Sequence, residues 1–383
     1  MFDPIIKNKD ENEPGFNMGV ILSRSETKGV VGIEIEIEGK KLPKSDETPP
    51  PWTYTVDHSL RGEESGEYVL GKPIEFDGVE PALKKLWSKF GKMGTEFDDS
   101  NRTSVHVHLN CQSFFLNRLT SLAALYFIVE ECLTEWCGDH RVGNLFCLRA
   151  KDAPGIISQM KTFIKYEGAI PLNEQSLHYA GLNAAALMKY GSMEIRSLRG
   201  CSDPGTILSW IKTLQRLYEL SAEFTDPRDI CARFSAEGPL SFFSTILGDM
   251  APVIREGIPF NDSKIRDSMF EGIRLAQDIC YCRNWEKYQA VDFKADPFGR
   301  DPRKLIKKLG LGTPPAPPGA QAAYYEPEPE YDGPDDEAEG GVELTMAAMN
   351  QASPQIVMNT AAMPTPVMPT LNPGPPGTVE WWN

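Results

Sequence analysis

The octapeptide Gly32-Ile33-Glu34-Ile35-Glu36-Ile37-Glu38-Gly39 alternates apolar and acidic residues without a break. That is the period of a β-strand with one buried face, and isoleucine is among the best strand formers. Glycines close both ends. Glu34, Glu36 and Glu38 therefore line one face, each about 6.6 Å from the next at roughly 3.3 Å per residue. Like charges so placed repel unless water or cations neutralise them. Two readings fit: an outward face bathed in solvent, or a site for hard divalent cations, which prefer carboxylate oxygens.

The 383 residues carry a net charge of −15, unevenly spread. Ten acidic residues and no Lys, Arg or His lie beyond Gly310, which leaves the first 310 residues at about −5. A sequence-independent nucleic-acid binder needs a strongly basic surface, and this chain has none. No basic-then-apolar leader and no bilayer-length apolar run is present, so the expectation is a cytoplasmic protein without membrane contact. Eight scattered cysteines read as reduced, buried thiols, and the pair Cys280 and Cys282 is a weak zinc cue without partners.

An irregular lead-in is expected over 1–24, a folded body over 25–310 and a disordered acidic tail over 311–383. The tail holds 14 of the 31 prolines and few bulky aliphatics, too little to bury. Its terminal Trp381-Trp382 reads either as a docking motif for a protein partner or as part of a tail that has none. Within the body, strands are expected at 54–56, 67–70, 104–109, 179–186 and 192–198. Helices are expected at 79–93 with Gly94 as its stop, at 119–136 buried nearly all round, and at 154–166 opening on a proline. Three more should run from Asp203 past Leu217, over 241–254 and over 264–282.

Several strands carry polar pairs on one face. His106 and His108 could feed a metal or could be ordinary surface. Glu194 and Arg196 could simply pair, or a metal on Glu194 would free the Arg196 fork for a phosphate or carboxylate. Arg141 and Asn144 are ambiguous singly. No Walker or dinucleotide fingerprint appears.

Taken in order, the chain offers Gly32-x-Glu34-x-Glu36, Asp57-x-Ser59 with Glu67-Tyr68-Val69, His106-Val107-His108, Arg141-x-x-Asn144, Tyr179-x-x-x-Asn183, and Glu194-Ile195-Arg196 followed by Arg199-Gly200 and a capped helix. That order, spanning Gly32 to Leu220, resembles the amidoligase family, a phage and bacterial branch of the glutamine synthetase and glutamate–cysteine ligase superfamily. The resemblance implies an α+β fold: a curved, mainly antiparallel, glutamine-synthetase-like sheet whose concave face carries the acids and histidines, backed by helices. It implies an ATP-dependent carbon–nitrogen ligase that joins a small-molecule or peptide carboxylate to an amine through an acyl-phosphate, using Mg²⁺ or Mn²⁺. By the same resemblance Glu34, Glu36, Glu67, His108 and Glu194 would hold metal. Glu194 and Arg196 would be catalytic, and Arg141, Asn144, Asn183 and Arg199 would contact nucleotide or substrate. Glu38 lies beyond the motif and keeps the solvated reading, His106 competes with His108 for the metal, and Leu70-Gly71-Lys72-Pro73 matches only loosely. Two other readings of the same residues are a metal-dependent hydrolase and a non-catalytic phage assembly protein that binds through its tail.

Overall fold

Isoleucine at every second position gives strand β1 (Val31–Lys40) its buried face: Ile33, Ile35 and Ile37 are each at most 4% exposed. Each such side chain contributes about 1.5–3 kcal/mol of burial. The computed structural model describes residues 28–287, apart from 167, 169, 171, 174–176 and 260. The lead-in over 1–24, the end of the body at 310, the tail and Trp381-Trp382 therefore lie outside the described residues.

In chain order β1 is followed by β2 (Trp52–Thr55), β3 (Glu64–Leu70), α1 (Val79–Met93), β4 (Glu96–Phe97), β5 (Ser104–Asn110), α2 (Leu116–Trp136) and α3 (Pro154–Lys165). Then come β6 (Leu182–Asn183), α4 (Ala186–Tyr190), β7 (Ser192–Arg199), α5 (Pro204–Leu220), α6 (Arg228–Glu237), α7 (Pro239–Leu247), α8 (Ala251–Glu256) and α9 (Asn261–Cys280). The strands form one open sheet in the order β2-β3-β1-β5-β7-β6, with β4 added to the end of β1, and every pairing between them is antiparallel. The apolar face of β1, β5 and β7 shares one hydrophobic core with α1, α2, α5 and α9. No described helix is long and apolar enough to cross a membrane.

Local chemistry explains most element ends. Gly94 stops α1 in the left-handed region at φ 63°, its N–H returning to the Phe90 and Gly91 carbonyls. Asp203 starts α5 by accepting from the Gly205 and Thr206 amides, with Pro204 in the first turn. Three expectations change. The helix foreseen over 241–254 is two helices, because Gly248 adopts φ 54°, ψ −131°, a conformation closed to residues with a side chain, and Pro252 opens the second. The strand foreseen over 179–186 shrinks to Leu182–Asn183, since the Ala-Ala-Ala-Leu-Met run after Asn183 turns into α4. Helix α6 lies where no element is foreseen.

A fourth change bears on the site. Strict alternation along β7 puts Leu198 on the same face as Glu194 and Arg196. Pairing with β5 slips instead: Val107 faces Ile195 but Val105 faces Leu198, an extra residue on β7. The bulge returns Leu198 to the core, 1% exposed, and brings Arg199 opposite Ser104.

Beneath the sheet, α2 buries Glu130 almost completely. Its Oε2 accepts the Ala150 amide at 2.8 Å, and its Oε1 has no partner among the described residues. Burial, with the Glu131 charge adding, pushes this carboxyl up to about 8. The folded chain thus keeps a proton that the unfolded chain releases near the ordinary Glu value, so Glu130 makes stability fall as pH rises from about 4.5 to about 8. Glu130→Gln cannot ionise and is expected to remove this fall, on the order of 1.4 kcal/mol per pH unit inside the window. Urea midpoints of both proteins between pH 5 and 8.5 check it; parallel pH profiles would show that Glu130 is not the group responsible.

Candidate metal centre

Strand register gathers the polar residues. Glu34 pairs with His106 across β1 and β5, Glu36 with Glu67 across β1 and β3, His108 with Glu194 across β5 and β7, and Asn183 with Glu194 across β6 and β7. Directly opposed residues share a face, so five strands aim their side chains at one region. Nor is that face solvated. Glu34, Glu36 and Glu38 are 7%, 7% and 6% exposed, which overturns the outward reading that alternation allows, Glu38 included.

Each carboxylate finds partners from distant parts of the chain. Glu34 meets His106 Nδ1 at 3.3 Å and His108 Nε2 at 3.4 Å. Glu36 Oε2 accepts the Ser104 amide at 2.8 Å and its hydroxyl at 2.7 Å. Glu67 Oε2 accepts the Thr55 hydroxyl at 2.7 Å. Glu194 accepts from the Arg196 guanidinium at 2.5 Å and from Asn183 Nδ2 at 2.9 Å. His108 Nδ1 sits 3.0 Å from the Ser192 hydroxyl.

These contacts fix an imidazole's orientation. Ser104 Oγ donates to Glu36, because a carboxylate only accepts, so at 2.7 Å it accepts the Nε2–H of His106. Nδ1 of His106 is then the ring atom turned toward Glu34 and, at 3.7 Å, Glu194. A cation between Nδ1 and these carboxylates would be held by the ring nitrogen and their oxygens together.

Electrostatics point the same way. Burial works to raise the Glu34 carboxyl, but the two imidazoles against it prevail and hold it well below the ordinary value. Burial also opposes ionisation of Glu194 and of His108. The His108 and Arg196 charges nonetheless hold Glu194 low, and Glu34 holds His108 high. Glu67 goes the other way: burial first and the Glu34 charge second push it up to about 7. Crowded, partly desolvated carboxylates of this kind suit a divalent ion.

Ligand geometry yields two overlapping sets. Glu34, Glu67 and His106 bring one ligand atom each within 4.8 Å of one another, and so do Glu34, His108 and Glu194. Both imidazoles therefore belong to the centre, one per set, with Glu34 common to both. A cavity of about 160 Å³ opens over the second set, bounded by His108, Asn183, Tyr190, Glu194 and Arg196. The Arg196 Nε is buried and has no partner among the described residues.

Glu36 stands next to the centre, its Oε1 3.7 Å from His106 Nε2, but belongs to neither set. Asn183 is at the site, with its Oδ1 held by the Ala185 amide. Arg199 is exposed at the far end of β7. Two expected contact residues are employed elsewhere. Arg141, 1% exposed, donates Nε to the Ser197 carbonyl at 3.0 Å and Nη2 to the Arg196 carbonyl at 2.5 Å. It braces the β7 bulge from behind. Asn144 bonds the His140 carbonyl and the Phe146 amide within its own loop. Residues that sequence reading passes over are Ser104 and Ser192, each two positions before a site residue on the same strand face. The Ser-x-His-x-His and Ser-x-Glu spacings are the signals that mark them.

No family model matches the chain, and no curated protein matches it.

Proposed function

We propose that the chain is an ATP-dependent carboxylate–amine ligase of the amidoligase kind, built on a glutamine-synthetase-like sheet. One observation carries this reading: two three-residue ligand sets share Glu34, and Arg196 lies beside the second with an unsatisfied donor. Mg²⁺ or Mn²⁺ bound there would neutralise the phosphates of ATP and stabilise phosphoryl transfer to the acid. Oxygen-rich sets with a minority of imidazole suit those ions better than zinc.

The protein's own residues have distinct tasks in this scheme. Glu34, Glu67 and His106 hold one ion, and Glu34, His108 and Glu194 hold the other. Asn183 orients Glu194 through its amide at 2.9 Å. Glu194 also anchors Arg196, whose guanidinium supplies positive charge where the transferred phosphoryl group and the acyl-phosphate develop negative charge. Glu36 fixes Ser104, and Ser104 fixes the His106 ring, so its effect on the first ion is through orientation.

The deciding experiment supplies purified full-length protein with Mg²⁺ and ATP, plus pools of carboxylic acids and amines, and measures ADP and phosphate. Release that requires both an acid and an amine is expected. Absence of any nucleotide binding overturns the ligase reading, and metal-dependent cleavage of an amide or ester without ATP would replace it with a hydrolase. Glu36→Gln is expected to lower turnover on the order of ten-fold or more, because the weaker acceptor loosens Ser104 and with it the His106 ring, while leaving the melting temperature within a few degrees, since glutamine can still accept the Ser104 amide. Full activity in that variant would remove Glu36 from the reaction.

A further inference from the structure

A second cavity, of about 300 Å³, opens on the same sheet face toward the β4 end of β1. Its walls include Glu36, Glu38, Asp98, Asp99, Asp203 and Arg199, five carboxylates against one guanidinium. Three of the acids are ordinary surface groups: Asp98 and Asp99 are exposed, and Asp203 caps α5. Glu38 is different. It is 6% exposed, and its Oε1 accepts the Arg61 amide at 2.5 Å. Its Oε2 has no hydrogen-bond or ion-pair partner among the described residues. Gly62 backs closely onto the stem of this side chain: a Cβ added there would lie 2.7 Å from the Glu38 Cβ. Glu38 lines the cavity, so a cation there would pair with its Oε2.

The kind of cation follows from how the charges are spread. Among the described residues, the groups close enough to share one metal ion both centre on Glu34, and neither includes Glu38, Asp98 or Asp99. Carboxylates that do not converge on a point are poor ligands for a divalent ion, which needs several oxygens at 2.3–2.6 Å or less. They suit charges spaced along a flexible chain. Phe97 adds an apolar wall for the methylenes between such charges. Along β1, Glu36 bounds this cavity and adjoins the metal centre, and Glu38 lies about 13 Å from Glu34 at roughly 3.3 Å per residue.

We propose that this cavity binds a diamine or polyamine, and that such a molecule is the amine substrate. The substrate assignment rests on the ligase reading; the binding site itself does not. One ammonium is held at Glu38 and the exposed aspartates, and the other amino end extends past Glu36 toward the centre where the activated acid forms.

Titration calorimetry of the full-length protein with spermidine, and with butylamine as the single-charge control, tests this without nucleotide or metal at 150 mM NaCl. Spermidine is expected to bind at least ten-fold more tightly than butylamine. Glu38→Gln keeps the acceptor for the Arg61 amide and is expected to weaken spermidine at least ten-fold, with Mn²⁺ binding unchanged. Asp99→Asn, at an exposed position that folding does not depend on, should weaken it a few-fold. Equal spermidine affinity in wild type and Glu38→Gln, or no preference for spermidine over butylamine, overturns the proposal. So does loss of Mn²⁺ rather than spermidine in Glu38→Gln, which would make the cavity a metal site. Spermidine binding that depends on Glu38 in a protein that never forms ADP sinks the ligase reading and keeps the polyamine site. ADP formation with acids and monoamines, without spermidine binding, does the reverse.

Discussion

Glu34→Gln is expected to abolish divalent-cation binding outright, whereas changing any other ligand should remove one ion and spare the second. The reason is topological. Glu34 sits on the central strand β1, opposite His106 on β5 and two residues along from Glu36, which Glu67 of β3 faces, so its two oxygens serve both ligand sets. Oε2 lies toward His106 and Oε1 toward His108. Replacing one oxygen by an amide nitrogen removes the charge that both ions share and places a donor where a cation must sit. The expected loss is on the order of 100-fold or more in affinity, at or beyond the upper end of what supporting residues of metal sites contribute. Mn²⁺ titration followed by electron paramagnetic resonance counts the ions: two in the wild type, one in Glu67→Gln, one in Glu194→Gln and none in Glu34→Gln. A Glu34→Gln protein that still holds an ion would show that the two sets do not share this residue.

The strand that carries Glu34 is legible in the sequence because β-branched residues at a period of two leave little else for it to be. The same alternation misleads about the other face. Charged residues on alternate positions look solvated, and what buries them comes from far along the chain: the Ser104 hydroxyl and amide on Glu36, the Arg61 amide on Glu38, the Asn183 amide on Glu194. No local pattern encodes those partners. Helix ends fare better where one residue decides them, as Gly94 and Asp203 do. Gly248 has the same authority, but it sits inside an otherwise helical apolar pattern, so periodicity runs straight through it. Arg141 shows the limit most clearly. An arginine in a short polar motif reads as an anion ligand, yet its carbonyl partners exist only because β7 bulges, and the bulge is a matter of pairing rather than of composition.

That bulge makes Arg141 the residue whose loss should cost the most stability. At a bulge the ladder is interrupted, and the carbonyls of Arg196 and Ser197 accept from Arg141 in the 139–141 turn. The guanidinium fork satisfies both, from a site that is 1% exposed. Arg141→Ala leaves two buried acceptors unpaired, at about 1–3 kcal/mol each, and leaves a cavity besides, so a total loss of about 3–5 kcal/mol is expected. Arg141→Lys should recover only part of it, because one ammonium on a flexible stem does not reproduce a planar fork. Denaturant unfolding of the three proteins measures this directly. The site should register the change too: with its carbonyl released, Arg196 loses its fixed aim, and its ion pair with Glu194 loosens. Mn²⁺ affinity at the Glu34, His108 and Glu194 set should therefore fall several-fold in Arg141→Lys, while the set containing Glu67 keeps its own. If both sets weaken alike, Arg141 supports the sheet as a whole and does not aim Arg196.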